Sequence, residues 1–174
     1  MSSTALARYS VALFAAVVVQ QVVLDRLEMF GAHPDLMILL PVASGWLGGA
    51  GWGAATGFTA GMLADLFAST PFGLSAFVGT VVGYAVGMSA EDIPRDAPAL
   101  FVAVSALATS AYLVAYAILG AVFGQPGVLK VDLLPAVLVA APSSLVLAIP
   151  VMKLAAWGLS PARDRRPASR TARR

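Results

Sequence analysis

The sequence has no cysteine and a single histidine, His33, among its 174 residues. Without cysteine there is no disulfide framework, no thiolate metal site and no cysteine nucleophile. One histidine excludes multi-histidine zinc and iron sites and the H-E-x-x-H metalloprotease motif. A G-x-S-x-G serine elbow, a G-x-x-x-x-G-K-[ST] phosphate loop and an acidic pair spaced for metal-assisted phosphoryl chemistry are also missing. The expectation is a chain that is not an enzyme, with no catalytic residue, cofactor or metal.

Charge is scarce as well. Charged residues make up 11% of the chain, where a soluble domain carries about a quarter, and 59% of the chain is hydrophobic. Six of the 11 basic residues and one of the nine acidic ones lie beyond Ser160. That segment therefore carries +5 and the preceding residues −3, so the pI near 9.3 describes the tail. Nucleic acid is not an expected partner. Residues 161–174, rich in Arg, Pro, Ser and Ala, have too little apolar surface to bury and are expected to form a disordered basic tail.

What is present is apolar sequence. Stretches at 9–27, 35–50, 51–69, 73–90, 97–123 and 132–158 divide residues 1–160 into six candidate membrane spans, each needing about 20 mostly apolar residues. The fold class expected is an all-α polytopic membrane helix bundle. Charged or Pro-containing gaps separate most stretches, but the second and third are separated only by Gly48, Gly49, Gly51 and Gly53. A tight turn there gives six spans, and one long helix across it gives five. Arg8 before an apolar run also begins a signal peptide, yet no small-residue cleavage site follows Gln20 and Gln21, so a retained helix is expected. With six spans, Arg8, Arg95, Lys153 and the tail arginines share one side, against Arg26 and Lys130 on the other. Basic residues are kept on the cytoplasmic side, which places both termini there.

The strongest internal pattern is a four-residue ladder, Gly45, Gly49, Gly53, Gly57 and Gly61, reaching Asp65 at the next step. A second ladder runs Ser75, Gly79, Gly83 and Gly87. Glycines four apart let helix backbones approach closely. They serve either packing inside the chain, the preferred reading, or a docking groove for a partner's helix. Asp65 falls within a span, where a carboxylate either handles ions or protons or caps and pairs near the outer headgroups. Asp35 follows Pro34 at a helix start, where an acid suits the positive end of the dipole, and it is a possible companion of Asp65 with Arg26 as counter-ion. Pro41, Pro142 and Pro150 lie inside spans and are expected to bend them. Trp46, Trp52 and Trp157 fall near span ends, where interfacial tryptophans sit.

The order Pro34-Asp35-Leu36, then Gly57-Phe58-Thr59-Ala60-Gly61 with Asp65, then Pro71-Phe72-Gly73, then Gly83-Tyr84-Ala85-Val86-Gly87 resembles the bacterial rod shape-determining protein MreD family. The resemblance covers residues 34–87, and the length, span count and basic tail agree over the rest. It implies a non-catalytic scaffold or regulator of the cell-elongation complex, supporting peptidoglycan synthesis and cell shape, in the bacterial inner membrane. The partners it implies are an MreC-like single-span membrane protein and, around it, MreB, RodA, a penicillin-binding transpeptidase and membrane lipid. With Gly79 added from the second ladder, the candidate functional or helix-packing residues are Pro34, Asp35, Gly57, Phe58, Gly61, Asp65, Gly73, Gly79, Gly83, Tyr84 and Gly87. The family is also similar in fold to the substrate-binding S components of energy-coupling-factor vitamin transporters, which is the alternative function. An S component needs an outward cavity lined with polar and aromatic groups, and the outer gaps of this sequence offer few.

Overall fold

The computed structural model describes residues 3–22, 35–67, 71–91, 93, 97–124 and 133–163. Among them are six α-helices and no strand: α1 (Ser3–Val22), α2 (Leu36–Gly48), α3 (Ala50–Asp65), α4 (Leu74–Ser89), α5 (Pro98–Val122) and α6 (Leu133–Arg163). They follow the six apolar stretches to within a few residues, except that α1 starts earlier and α6 runs further than expected. Residues 161–163, assigned from sequence to the tail, are helical and extend α6 through Gly158 and Pro161. The remainder of the tail, Pro34, Arg26 and the residues around Lys130 lie outside the described residues.

The glycine-rich junction is a turn. Gly49 has φ of +91°, in a region that favours glycine, and its N–H donates to the Gly45 carbonyl at 2.8 Å, closing α2 before α3 begins. One helix across the junction is not formed.

Helix α2 occupies the centre. Its sequence is apolar all round, and Leu36 to Leu47, Pro41 included, are all buried among the other five helices. At 1.5 Å per residue its 13 residues reach about 20 Å, less than the roughly 30 Å of a bilayer's hydrocarbon core. Around it, α3 packs most closely on α4, α5 lies against α6, and α1 has α6 as its main neighbour. Gly158 of α6 sits 3.7 Å from Ala12 and Tyr9 of α1, reckoned from where a β-carbon would stand, so the first and last helices close the ring.

Successive helices are antiparallel. Tyr9 near the start of α1 meets the Trp52 ring near the start of α3, and Trp46 near the end of α2 meets Phe101 at the start of α5. The ends of α1, α3 and α5 therefore gather at one end of the bundle with the starts of α2 and α4.

The outward faces are apolar. Phe14 of α1, Phe58 of α3, Phe77 of α4, Leu107 of α5 and Val146 of α6 are all exposed. Among the described residues, α5 alone combines the length and hydropathy of a membrane crossing, 25 residues with mean hydropathy 1.9. Shorter apolar stretches occupy Ala7–Gln20, Leu36–Gly48, Leu74–Ser89 and Ser144–Leu159.

Of the three tryptophans read as interfacial, Trp157 is exposed, Trp52 is half-buried, and Trp46 departs from the expectation. Its indole is 1% exposed and stands edge-on to Phe101, with ring centroids 5.7 Å apart. The reason is the position of α2: a helix enclosed on all sides has no interfacial end to offer.

Candidate functional site

The two glycine ladders meet each other. Gly53 faces Gly83, Gly57 faces Gly79, and Gly61 faces Ser75 and Ala76, so that α3 and α4 run antiparallel with backbones in direct contact. A β-carbon on Gly79 would stand 2.8 Å from the Gly57 carbonyl oxygen, and one on Gly45 would stand 2.6 Å from that of Gly83. Such approaches exclude any side chain. Gly45, Gly53 and Gly83 thus form a point where three helices touch, with the Pro41 ring beside Gly83. Gly87 packs against the backbone of Gly49 and Ala50. Of the two readings of the ladder, packing inside the chain is the one realised.

Asp65 is the next rung of the same zipper. It is 3% exposed, and its Oδ2 accepts the backbone N–H of Gly73 at 2.8 Å and of Ala76 at 3.4 Å, while Oδ1 accepts that of Ser75 at 3.2 Å. The first N–H groups of a helix have no partner within it, and Gly73, the N-cap residue of α4, has no side chain to supply one. The carboxylate of α3 fills that role, aided by the positive end of the α4 dipole. Gly73 has φ of +96°, which turns the chain into α4. The capping reading of Asp65 accounts for its burial without ion or proton traffic.

The start of α2 is served in the same way. Asp35 accepts the N–H of Met37 at 2.7 Å, as its helix-start reading expects, and Gln20 of α1 accepts the N–H of Leu36 at 2.9 Å. Asp35 and Asp65 share one end of the bundle but cap different helices. The companion role is not required by either set of hydrogen bonds. Phe58 and Tyr84, both carried by the resemblance, point outward and are about half exposed.

At this end a cavity of about 330 Å³ opens between α1, α2, α3, α4 and α5. Its polar lining is Gln20, Asp35, Ser75, Tyr112 and Tyr116, with Val17, Met37 and Phe67 among its apolar walls. The Tyr112 and Tyr116 rings are stacked, 11° apart in plane with centroids at 6.0 Å. Tyr112 lies against Ser75 and within electrostatic reach of Asp35 and Asp65. The gaps between spans offered few polar or aromatic groups for such a cavity, whereas Gln20, Ser75, Tyr112 and Tyr116 come from within three helices, α1, α4 and α5. The sequence signal was the helical spacing of Tyr112 and Tyr116, four residues apart in an apolar run.

The arrangement can bind and orient; among the described residues no group of three metal-ligating side chains is assembled. Comparison with known protein families, with curated proteins and with solved structures finds no match to this chain.

Proposed function

We propose that the chain is a polytopic membrane scaffold of the bacterial cell-elongation machinery, similar to MreD, with both termini cytoplasmic. The observation that carries the proposal is the behaviour of the residues in the resemblance: those that are described, apart from the outward Phe58 and Tyr84, serve one α3–α4 unit and the start of α2. Asp35 and Asp65 cap helices, and Gly57, Gly61, Gly79, Gly83 and Gly87 make the backbone contacts. A second support is the apolar exterior, which suits lipid better than water. In this reading the capped, zippered unit is a rigid frame, and neighbouring proteins are held on the outward apolar faces rather than on the ladder.

One such face is the groove of about 400 Å³ between α4 and α5, walled by Phe72, Phe77, Leu119 and Phe123. A single-span protein of the MreC kind fits the role of occupant, with MreB, RodA and a penicillin-binding transpeptidase reached through it. The test is copurification from native membranes with and without the residues after Arg163. Association that survives both the deletion and high salt supports a contact between helices. Association lost on either treatment means that the partner is held by the basic tail, whose attraction to anionic surfaces is about 1 kcal/mol per basic residue and is screened by salt.

A further inference from the structure

We propose that the outward face of the α3–α4 pair is a lipid contact that selects short acyl chains, so that the bilayer is thinner along this flank of the bundle than along α5. The inference rests on the membrane reading above and adds to it the kind of lipid held on one face. Helices α3 and α4 have 16 residues each, about 24 Å at 1.5 Å per residue. Helix α5 has 25 residues, about 37 Å. Because a bilayer's hydrocarbon core is about 30 Å thick, α5 exceeds it while α3 and α4 fall short of it. A span that is too long tilts; one that is too short is met by a thinned bilayer, by flanking cationic side chains that reach outward, or by self-association.

Neither α3 nor α4 contains a lysine or arginine to reach outward. Nor can the pair lengthen by sliding. Gly87 packs against Gly49 and Ala50 at one end, and Asp65 accepts the N–H groups of Gly73 and Ser75 at the other, so the register is held over the whole height. Along that height Phe58, Val81, Tyr84 and Met88 are each about half exposed. Gly57 opposes Gly79 midway along both helices, which sets Phe58 near mid-height, and Gly83 opposes Gly53, which sets Tyr84 near the start of α3. A tyrosine suits headgroup level. Exposed Ser89 and Glu91 follow beyond it, and the Asp65 cap marks the opposite end, so polar groups bracket a short apolar face. Phe58 and Tyr84 are also the two residues of the resemblance that the α3–α4 frame leaves over.

The absence of cysteine lets single cysteines be introduced without background. Phe58→Cys on α3 and Leu107→Cys on α5 replace exposed residues near the middle of each helix. Each purified full-length variant carries a bimane fluorophore in dioleoylphosphatidylcholine vesicles. Brominated phosphatidylcholines with fourteen-carbon or twenty-two-carbon chains are added at equal mole fraction, and quenching reports which lipid lies beside the label. The proposal expects the fourteen-carbon lipid to quench the label on α3 at least twofold more than the twenty-two-carbon lipid does, with a smaller ratio on α5. Equal or reversed ratios overturn it. A label on α3 that no lipid quenches, while that on α5 responds, also overturns it and places a second copy or a partner's helix on this face. Silence of both labels overturns the membrane reading itself. The unmodified protein gives a check free of labels: its melting temperature should fall as the chains of the vesicle lipid lengthen from fourteen to twenty-two carbons, and a flat or rising series overturns the proposal.

Discussion

The carboxylate of Asp65, the last residue of α3, accepts the N–H of Gly73 at 2.8 Å and so caps a helix to which it does not belong. Two oxygens serve three amides there. Asp65→Ala leaves those buried donors unpaired and should lower stability by about 1–3 kcal/mol, read as thermal unfolding in detergent. Asp65→Asn retains one acceptor oxygen and should fall between alanine and wild type. An asparagine variant as stable as wild type but defective in cell elongation would show that the charge acts on something besides α4.

The zipper predicts opposite outcomes for glycines that look alike in the sequence. Gly61→Leu and Gly83→Leu force a side chain into neighbouring backbone and should each lower stability by at least about 1–3 kcal/mol. Gly51 has open space where a β-carbon would go, so Gly51→Ala should be neutral or stabilise by up to about 1 kcal/mol. Detergent melting curves of the three variants test the contrast directly.

Gly73 combines open space with a φ of +96°. Gly73→Ala should therefore destabilise through backbone conformation alone, by about 1–2 kcal/mol. Gly73→Asn should cost less, since asparagine visits that region more readily. Equal losses for the two would point to a steric cause instead.

Topology reporters give the fourth prediction. Fusions at the N-terminus, at Glu91 and after Arg163 should all be active if their reporter works only in the cytoplasm. A periplasmic signal at Glu91 with a cytoplasmic one after Arg163 would break the pairing of α5 with α6.

The helices and the zipper were legible because their signals are periodic and local. A glycine every fourth residue in two neighbouring stretches contains the partnership of Gly57 with Gly79, and the ladder even places Asp65 at its end. Asp35 was legible for a similar reason, standing next to Pro34 before an apolar run. Gln20 was not, since its partner Leu36 lies 16 residues away across a gap. Tyr112 and Tyr116 read as two more aromatic residues in a long apolar helix until the fold sets them beside Asp35 and Ser75. Trp46 was misplaced because nearness to a span end says nothing about how many helices surround that end.

The contact of Gly158 with Tyr9 and Ala12 sets a schedule for synthesis. Helix α1 is made before the other five described helices, yet its main neighbour, α6, is the sixth of them, so the ribosome must pass through all the intervening helices before α1 is fully housed. Chains cut short before residue 133 would leave α1 and one flank of α2 uncovered, a surface on which proteolytic quality control acts. Because the start of α1 and the end of α6 lie side by side, the same closure also permits the order of the helices to be cut and rejoined elsewhere, with a linker joining α6 to α1.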